Sequence, residues 1–208
     1  MSPRPRKVSD EQLFAAAHAV MNRVGPGELT LAAIAEEAGV TAAVLVQRFG
    51  SKRGLMLALS QRYAAEAGGM VTAFAQQHRS PLAALRAYVE CVAGMAASPT
   101  AMARSLAYLQ IDLTDAEFRT HLVEQARATR KGIERLLRAA VEARELDART
   151  DARRLAGTIE AVISGSMLTW AVYQEGNCRR WMRREVDHVL EAYERRTGSR
   201  KGAALFCR

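Results

Sequence analysis

A chain of 208 residues, 49% of them apolar, has room for one domain, or for a small domain joined to a larger one, around a sizeable core. No run of about eighteen apolar residues occurs, and the basic start from Met1 to Lys7 leads into no signal-type apolar stretch; a soluble cytoplasmic protein without a membrane partner is expected. The net charge of +8 invites a nucleic-acid reading, but residues 1–60 hold seven basic and five acidic side chains whereas 179–208 hold nine and four, so most of the excess lies at the far end.

Helical spacing runs from end to end, with no lasting strand-like alternation. After a basic tail, residues 1–8, Ser9 followed by Asp10, Glu11 and Gln12 opens a first helix with an apolar face of Leu13, Phe14, Ala17, Val20, Met21 and Val24. Gly25-Pro26-Gly27 ends it. Thr30 caps a short second helix, Leu31 to Ala38, which Gly39 closes; Thr41 caps a third, Ala42 to Phe49. A long fourth helix runs from Lys52 towards His78. Further helices are predicted over Leu82–Ala97, Thr100–Ile111, Asp115–Arg144, Asp151–Glu175 and Arg179–Arg196, with Asp112-Leu113-Thr114 as one connector. The stretch Thr197 to Arg208 has no periodicity and reads as a tail. The predicted fold class is all-α, about nine helices: a three-helix head over 9–52 and a larger helical bundle over 53–196.

The informative segment is the second and third helices. A small Ala35 lets one helix cross close over the other, and Gly39 supplies the positive φ that reverses the chain in a few residues. Ile34, Ala38, Val40, Leu45 and Phe49 supply the apolar contacts that lock the pair against the first helix, and Phe49-Gly50-Ser51-Lys52 follows directly. Any all-α core contains helix pairs of this kind. The full constellation is narrower: Thr30, Ile34-Ala35, Ala38-Gly39-Val40-Thr41, Leu45-Val46, Phe49 and Ser51-Lys52. Over residues 9 to about 60 it resembles the TetR family of bacterial regulators. The resemblance departs at Val46, where that family mostly carries an aromatic, and at Gly50, where proline is common.

The resemblance implies a homodimeric, ligand-responsive repressor binding a near-palindromic operator in double-stranded DNA, with no cofactor or metal. Its third helix would enter the major groove. Thr41, Gln47 and Arg48 are the polar candidates there, Ala42 and Ala43 allow close approach or contact with thymine methyls, and Thr30 and Lys52 lie at helix N-termini that suit phosphate. Arg4, Arg6 and Lys7 reach along the duplex or remain a solvated tail.

Dimerisation is assigned to the last two long helices. Gly157, Ala161, Gly165, Leu168 and Val172 form a small-residue stripe, and Met182, Val186, Val189, Leu190 and Tyr193 an apolar face; the alternative is that both faces pack within one protomer. An unknown small-molecule effector would be held among Met95, Met102, Tyr108, Phe118, His121, Met167, Trp170 and Tyr173, which are otherwise core. Two other classes remain open. A small all-α enzyme finds scattered histidines, with His121 and Asp112 flanking one connector, and no phosphate loop. A helical interaction module leaves the glycine-turned motif without a purpose. Cys91, Cys178 and Cys207 fit neither disulfide nor zinc spacing.

Overall fold

A computed structural model describes residues 8–96 and 98–194. Among them run nine helices: α1 (Asp10–Arg23), α2 (Leu31–Ala38), α3 (Ala42–Phe49), α4 (Lys52–Gln77), α5 (Pro81–Met95), α6 (Pro99–Thr114), α7 (Ala116–Glu142), α8 (Ala152–Tyr173) and α9 (Cys178–Glu191). The predicted tail over Thr197–Arg208, Cys207, and Arg4, Arg6 and Lys7 lie outside the described residues.

Local chemistry sets the helix ends. Ser9 and Gln12 complete a reciprocal capping box on α1, and the hydroxyls of Thr30, Ser51, Ser80 and Ser98 accept backbone N–H groups at the starts of α2, α4, α5 and α6. Pro81 and Pro99 are the first residues of their helices rather than breaks before them, because the first turn has no use for the N–H that proline lacks.

Two expectations fail locally. Asp112-Leu113-Thr114 continues α6 instead of connecting helices, and the Thr114 hydroxyl donates to the Gln110 carbonyl one turn back at 2.7 Å. Asp115 ends α6 and caps α7 through its carboxylate, which accepts from the N–H groups of Glu117 and Phe118. Thr41, expected to cap α3, makes no side-chain cap bond.

The apolar residues divide into two cores. One gathers Leu13, Ala17, Val20, Leu29, Ile34 and Leu45 of the head with Leu55 and Leu59 of α4, and Tyr108 reaches into it from α6. The other fills the bundle, with Leu85 and Val89 of α5, Ile133 and Leu137 of α7, Leu155 and Ile159 of α8, and Met182, Val186 and Leu190 of α9. The head core thus takes in the first two turns of α4, past the boundary read at residue 52, and α4 passes from one core to the other, contributing Val71 to the bundle. There α4 crosses α7 closely: a Cβ added at Gly132 would lie 2.8 Å from that of Val71.

Helix α8 is long and apolar enough, by length and composition, to cross a bilayer. Its Leu155, Ile159, Ile163 and Trp170 face is buried in the bundle, and 33% of its most apolar stretch is covered inside the protomer.

Candidate nucleic-acid interface

The head presents α3 as a projecting rod. Of its eight residues only Leu45 is buried. Ala43, Val46 and Gln47 face outward, Val46 with 49% of its surface exposed, while Ala42 and Val44 are half-buried. Leu45 pins the rod from behind, and Phe49 packs its ring 5.6 Å from that of Phe14 on α1. The preceding turn rests on Gly39 at φ 66°, whose N–H closes back on Ala35 and Glu36; a side-chain-bearing residue is disfavoured in that left-handed conformation.

The polar candidates fall into two groups. Gln47 is exposed, and like the exposed hydroxyl of Thr41 its side chain has no hydrogen-bond partner among the described residues. Thr41 therefore keeps its hydroxyl free at the N-terminus of α3, and Thr30, which accepts from the Ala33 N–H at 3.1 Å, is exposed at that of α2. Arg48 and Lys52 are committed to the head itself. The Arg48 guanidinium turns back to α1, pairing with Asp10 at 3.0 Å and donating to the Val8 carbonyl at 2.8 Å. Lys52 Nζ donates to the carbonyls of Pro26 and Leu29 at 3.2 and 2.9 Å, tying the α1–α2 loop to the start of α4.

Sequence reasoning missed the seam that carries the head. Arg53, in the first turn of α4, grips the start of α7 with both arms, 2.8 Å from each of Asp115 and Glu117, and lies 5.3 Å from the centre of the Phe118 ring. The Arg53 hydrogen bond is the first cause holding the Asp115 carboxyl below its ordinary range. From α6, Arg104 donates to the Asn22 carbonyl and the Tyr108 hydroxyl to that of Val24. No periodicity marks such residues; only the start of α7 meeting that of α4 brings them together.

The residues proposed as one effector pocket are dispersed. Met102 and Trp170 are buried in the bundle core with Met167 packed against it, and Met95 is 58% exposed. Tyr108 belongs to the head core, and it shares a small cavity with Phe118. His121 pairs with Glu124 at 3.2 Å, and no hydrogen bond or ion pair joins it to Asp112, which lines that cavity. Among the described residues no group of three or more His, Cys, Asp or Glu side chains is placed to hold a metal ion. Cys91 and Cys178 are free thiols, the latter buried.

The two dimer faces part company. Val186 and Leu190 are buried within the protomer, with Val189 and Tyr193 packed beside them, because α5 offers α9 a matching face: Leu85 and Val89 meet its apolar side while Arg86 pairs with Asp187 and Glu194. On α8, by contrast, Ala161, Gly165, Leu168 and Val172 face outward, the last two 46% and 69% exposed. A Cβ at Gly157 or Gly165 would meet nothing within 4 Å, so packing inside the protomer asks for glycine at neither.

The sequence model for bacterial regulatory proteins of the tetR family matches residues 13–59, spanning the head and the start of α4, and that for the tetracyclin repressor-like C-terminal domain matches residues 105–186. The chain belongs to the TetR family. It is a DNA-binding transcriptional regulator and not an enzyme, and the interaction-module reading is not favoured. No curated protein matches this TetR-family chain. Among solved structures it shares its fold with SmeT, the repressor of the Stenotrophomonas maltophilia multidrug efflux pump SmeDEF, at 21% identity, TM-score 0.63, over 92% of this chain and 93% of that one. A TetR transcription regulator from Haloarcula marismortui matches at 14% identity and TM-score 0.71, covering 89% and 98%. The fatty acid degradation regulator FadR from Bacillus halodurans matches at 15% and 0.65, covering 88% and 98%.

Proposed function

We propose that this TetR-family chain is a cytoplasmic, ligand-responsive repressor whose dimer places two α3 rods in successive major grooves of a near-palindromic operator. The observation that carries the reading is the exposure of α3 behind a single buried anchor, Leu45. A helix so presented on a compact head fits the major groove, and two-fold related heads read half-sites about 34–36 Å apart or a multiple of that spacing. Gln47 is the reader of bases, able to pair in two places with an adenine edge; Ala43 and Val46 offer apolar contact to thymine methyls, and Thr30 and Thr41 hold phosphates. Arg48 and Lys52 act by positioning the rod and the loop behind it.

The C-terminal bundle senses the effector. SmeT, which has also been solved as a complex with triclosan, supports a small-molecule effector for a protein of this fold. A ligand that prefers the DNA-free state lowers operator affinity by its differential affinity for the two states, and the Arg53 seam is the path by which the bundle reaches the head.

Selection of binding sequences from random duplex DNA by the purified protein is expected to return a two-fold symmetric motif; failure to enrich any sequence at low salt would refute the reading. Gln47→Ala is expected to flatten base preference at one position of each half-site by roughly 1–3 kcal/mol, measured by competition between operator variants, whereas Arg48→Ala lowers affinity evenly across them.

A further inference from the structure

Beneath the head, where α1, α4, α6 and α7 meet, lies a cavity of about 60 Å³. Its wall includes the rings of Tyr63, Tyr108 and Phe118, together with Ser60, Gln125 and the carboxylate of Asp112. Asp112 is half-buried and has neither a hydrogen bond nor an ion pair among the described residues. Burial alone pushes its carboxyl above the ordinary range. The side chains of Ser60, Tyr63 and Gln125 likewise have no hydrogen-bond partner among the described residues. A carboxylate drawn out of water without a compensating donor is costly to keep, and no hydrogen bond or ion pair among the described residues offsets this one.

We propose that this cavity binds the ammonium or guanidinium head of a small organic cation, with Asp112 as its counter-ion. The rings of Tyr63, Tyr108 and Phe118 in the same wall add their attraction for positive charge to that of the anion. The unpartnered hydroxyl, phenol and amide oxygens accept the remaining N–H donors. Anions are excluded by Asp112. Volume sets a further limit: a site that holds one water needs about 10–15 Å³ of such space, so this one takes a cationic head of a few non-hydrogen atoms, with any remainder of the ligand outside it.

The position links occupancy to the DNA-binding head. Phe118 lines the cavity and carries Arg53 over its ring, and Tyr108 lines the same cavity while its hydroxyl holds the Val24 carbonyl at the end of α1. A cation entering between these rings displaces two of the contacts that hold the head to α6 and α7. This consequence, unlike the binding itself, rests on the ligand-responsive reading above.

The test is calorimetric titration of the intact protein with methylguanidinium and with N-methylurea, its uncharged counterpart of similar shape, at constant ionic strength. Wild type is expected to bind methylguanidinium at least about tenfold more tightly than N-methylurea, an advantage that Asp112→Asn removes. Asp112→Asn relieves a half-buried unpaired charge, so the variant is expected to fold and its melting temperature serves as the check. Failure of methylguanidinium to bind, equal binding of the two probes, or an advantage that survives in Asp112→Asn would each overturn the site. Operator anisotropy in the same samples separates the two proposals: cation binding with unchanged operator affinity upholds the site and refutes only the coupling.

Discussion

Gly54→Ala is expected to strip the protein of most of its operator affinity while leaving the C-terminal bundle folded. Gly54 lies in the first turn of α4, directly against the end of α3, and an alanine Cβ there would sit 2.0 Å from the Phe49 carbonyl oxygen and 3.2 Å from its carbon. Both are backbone atoms, so no rotamer change relieves the clash; α3 must move by an ångström or more relative to α4. The move is resisted on every side. Gly50 bends the chain at φ 76°, the Ser51 hydroxyl is bonded to the Gly54 N–H, and Phe49 is packed on Phe14. Overpacking of this kind costs roughly 1–3 kcal/mol and falls here at its upper end, since the opposing atoms are main chain. For a chain of this size that corresponds to a melting-temperature loss of about 2–4 °C per kcal/mol. The control is Gly69→Ala on the same helix, where a Cβ meets nothing within 4 Å; there helix propensity makes alanine neutral to stabilising by up to about 1 kcal/mol. Operator anisotropy and thermal melts of the pair decide the matter, and equal affinities would mean that the α3–α4 junction does not set the aim of the rod.

The contrast between these glycines shows which parts of the architecture a linear reading reaches. The spacing of Leu13, Ala17 and Val20, the caps at Ser9 and Thr30, and the turn at Gly39 are local signals, each written within one helix turn, and the helices they bound appear where expected. Gly54 is invisible at that level. Its need for hydrogen arises from a carbonyl on the preceding helix, and the same holds for Gly132 against Val71. Arg48 and Lys52 show a related limit: residue type and position suit them to DNA, but Asp10, Val8 and the Pro26–Leu29 loop claim their charged ends first. A basic side chain's partner is a tertiary fact. So is the fate of an amphipathic face. The stripes on α8 and α9 look alike as patterns, and only the presence of α5 beside α9 decides that Val186 and Leu190 turn inward while Leu168 and Val172 stay outside.

Replacing Leu168 and Val172 together by glutamate is expected to convert the protein to monomers and to weaken operator binding by at least about a hundredfold. The argument is one of area and symmetry. Both side chains stand exposed beside Ala161 and Gly165, small enough for another helix to lie close, and Tyr173 continues the apolar face with 63% of its surface exposed. Burying a leucine or valine is worth roughly 1.5–3 kcal/mol. Only the 46% of Leu168 and 69% of Val172 still exposed is left to bury, and in a two-fold interface every contact occurs twice, so these two positions supply about 3–7 kcal/mol of association. Glutamates instead bring four like charges to the axis. Since each 1.4 kcal/mol is about tenfold in a dissociation constant, losing that stabilisation weakens the dimer by at least about a hundredfold. A lone head then holds one half-site, without the second that the dimer adds. Sedimentation velocity and operator anisotropy on the same preparation read the two effects separately. The core side of α8, Leu155, Ile159, Ile163 and Trp170, is untouched by the change, so the helical circular dichroism should match wild type. Were the double variant to remain dimeric with normal operator affinity, the stripe on α8 would have to face solvent in the working protein, and the two heads would need another scaffold to hold their spacing.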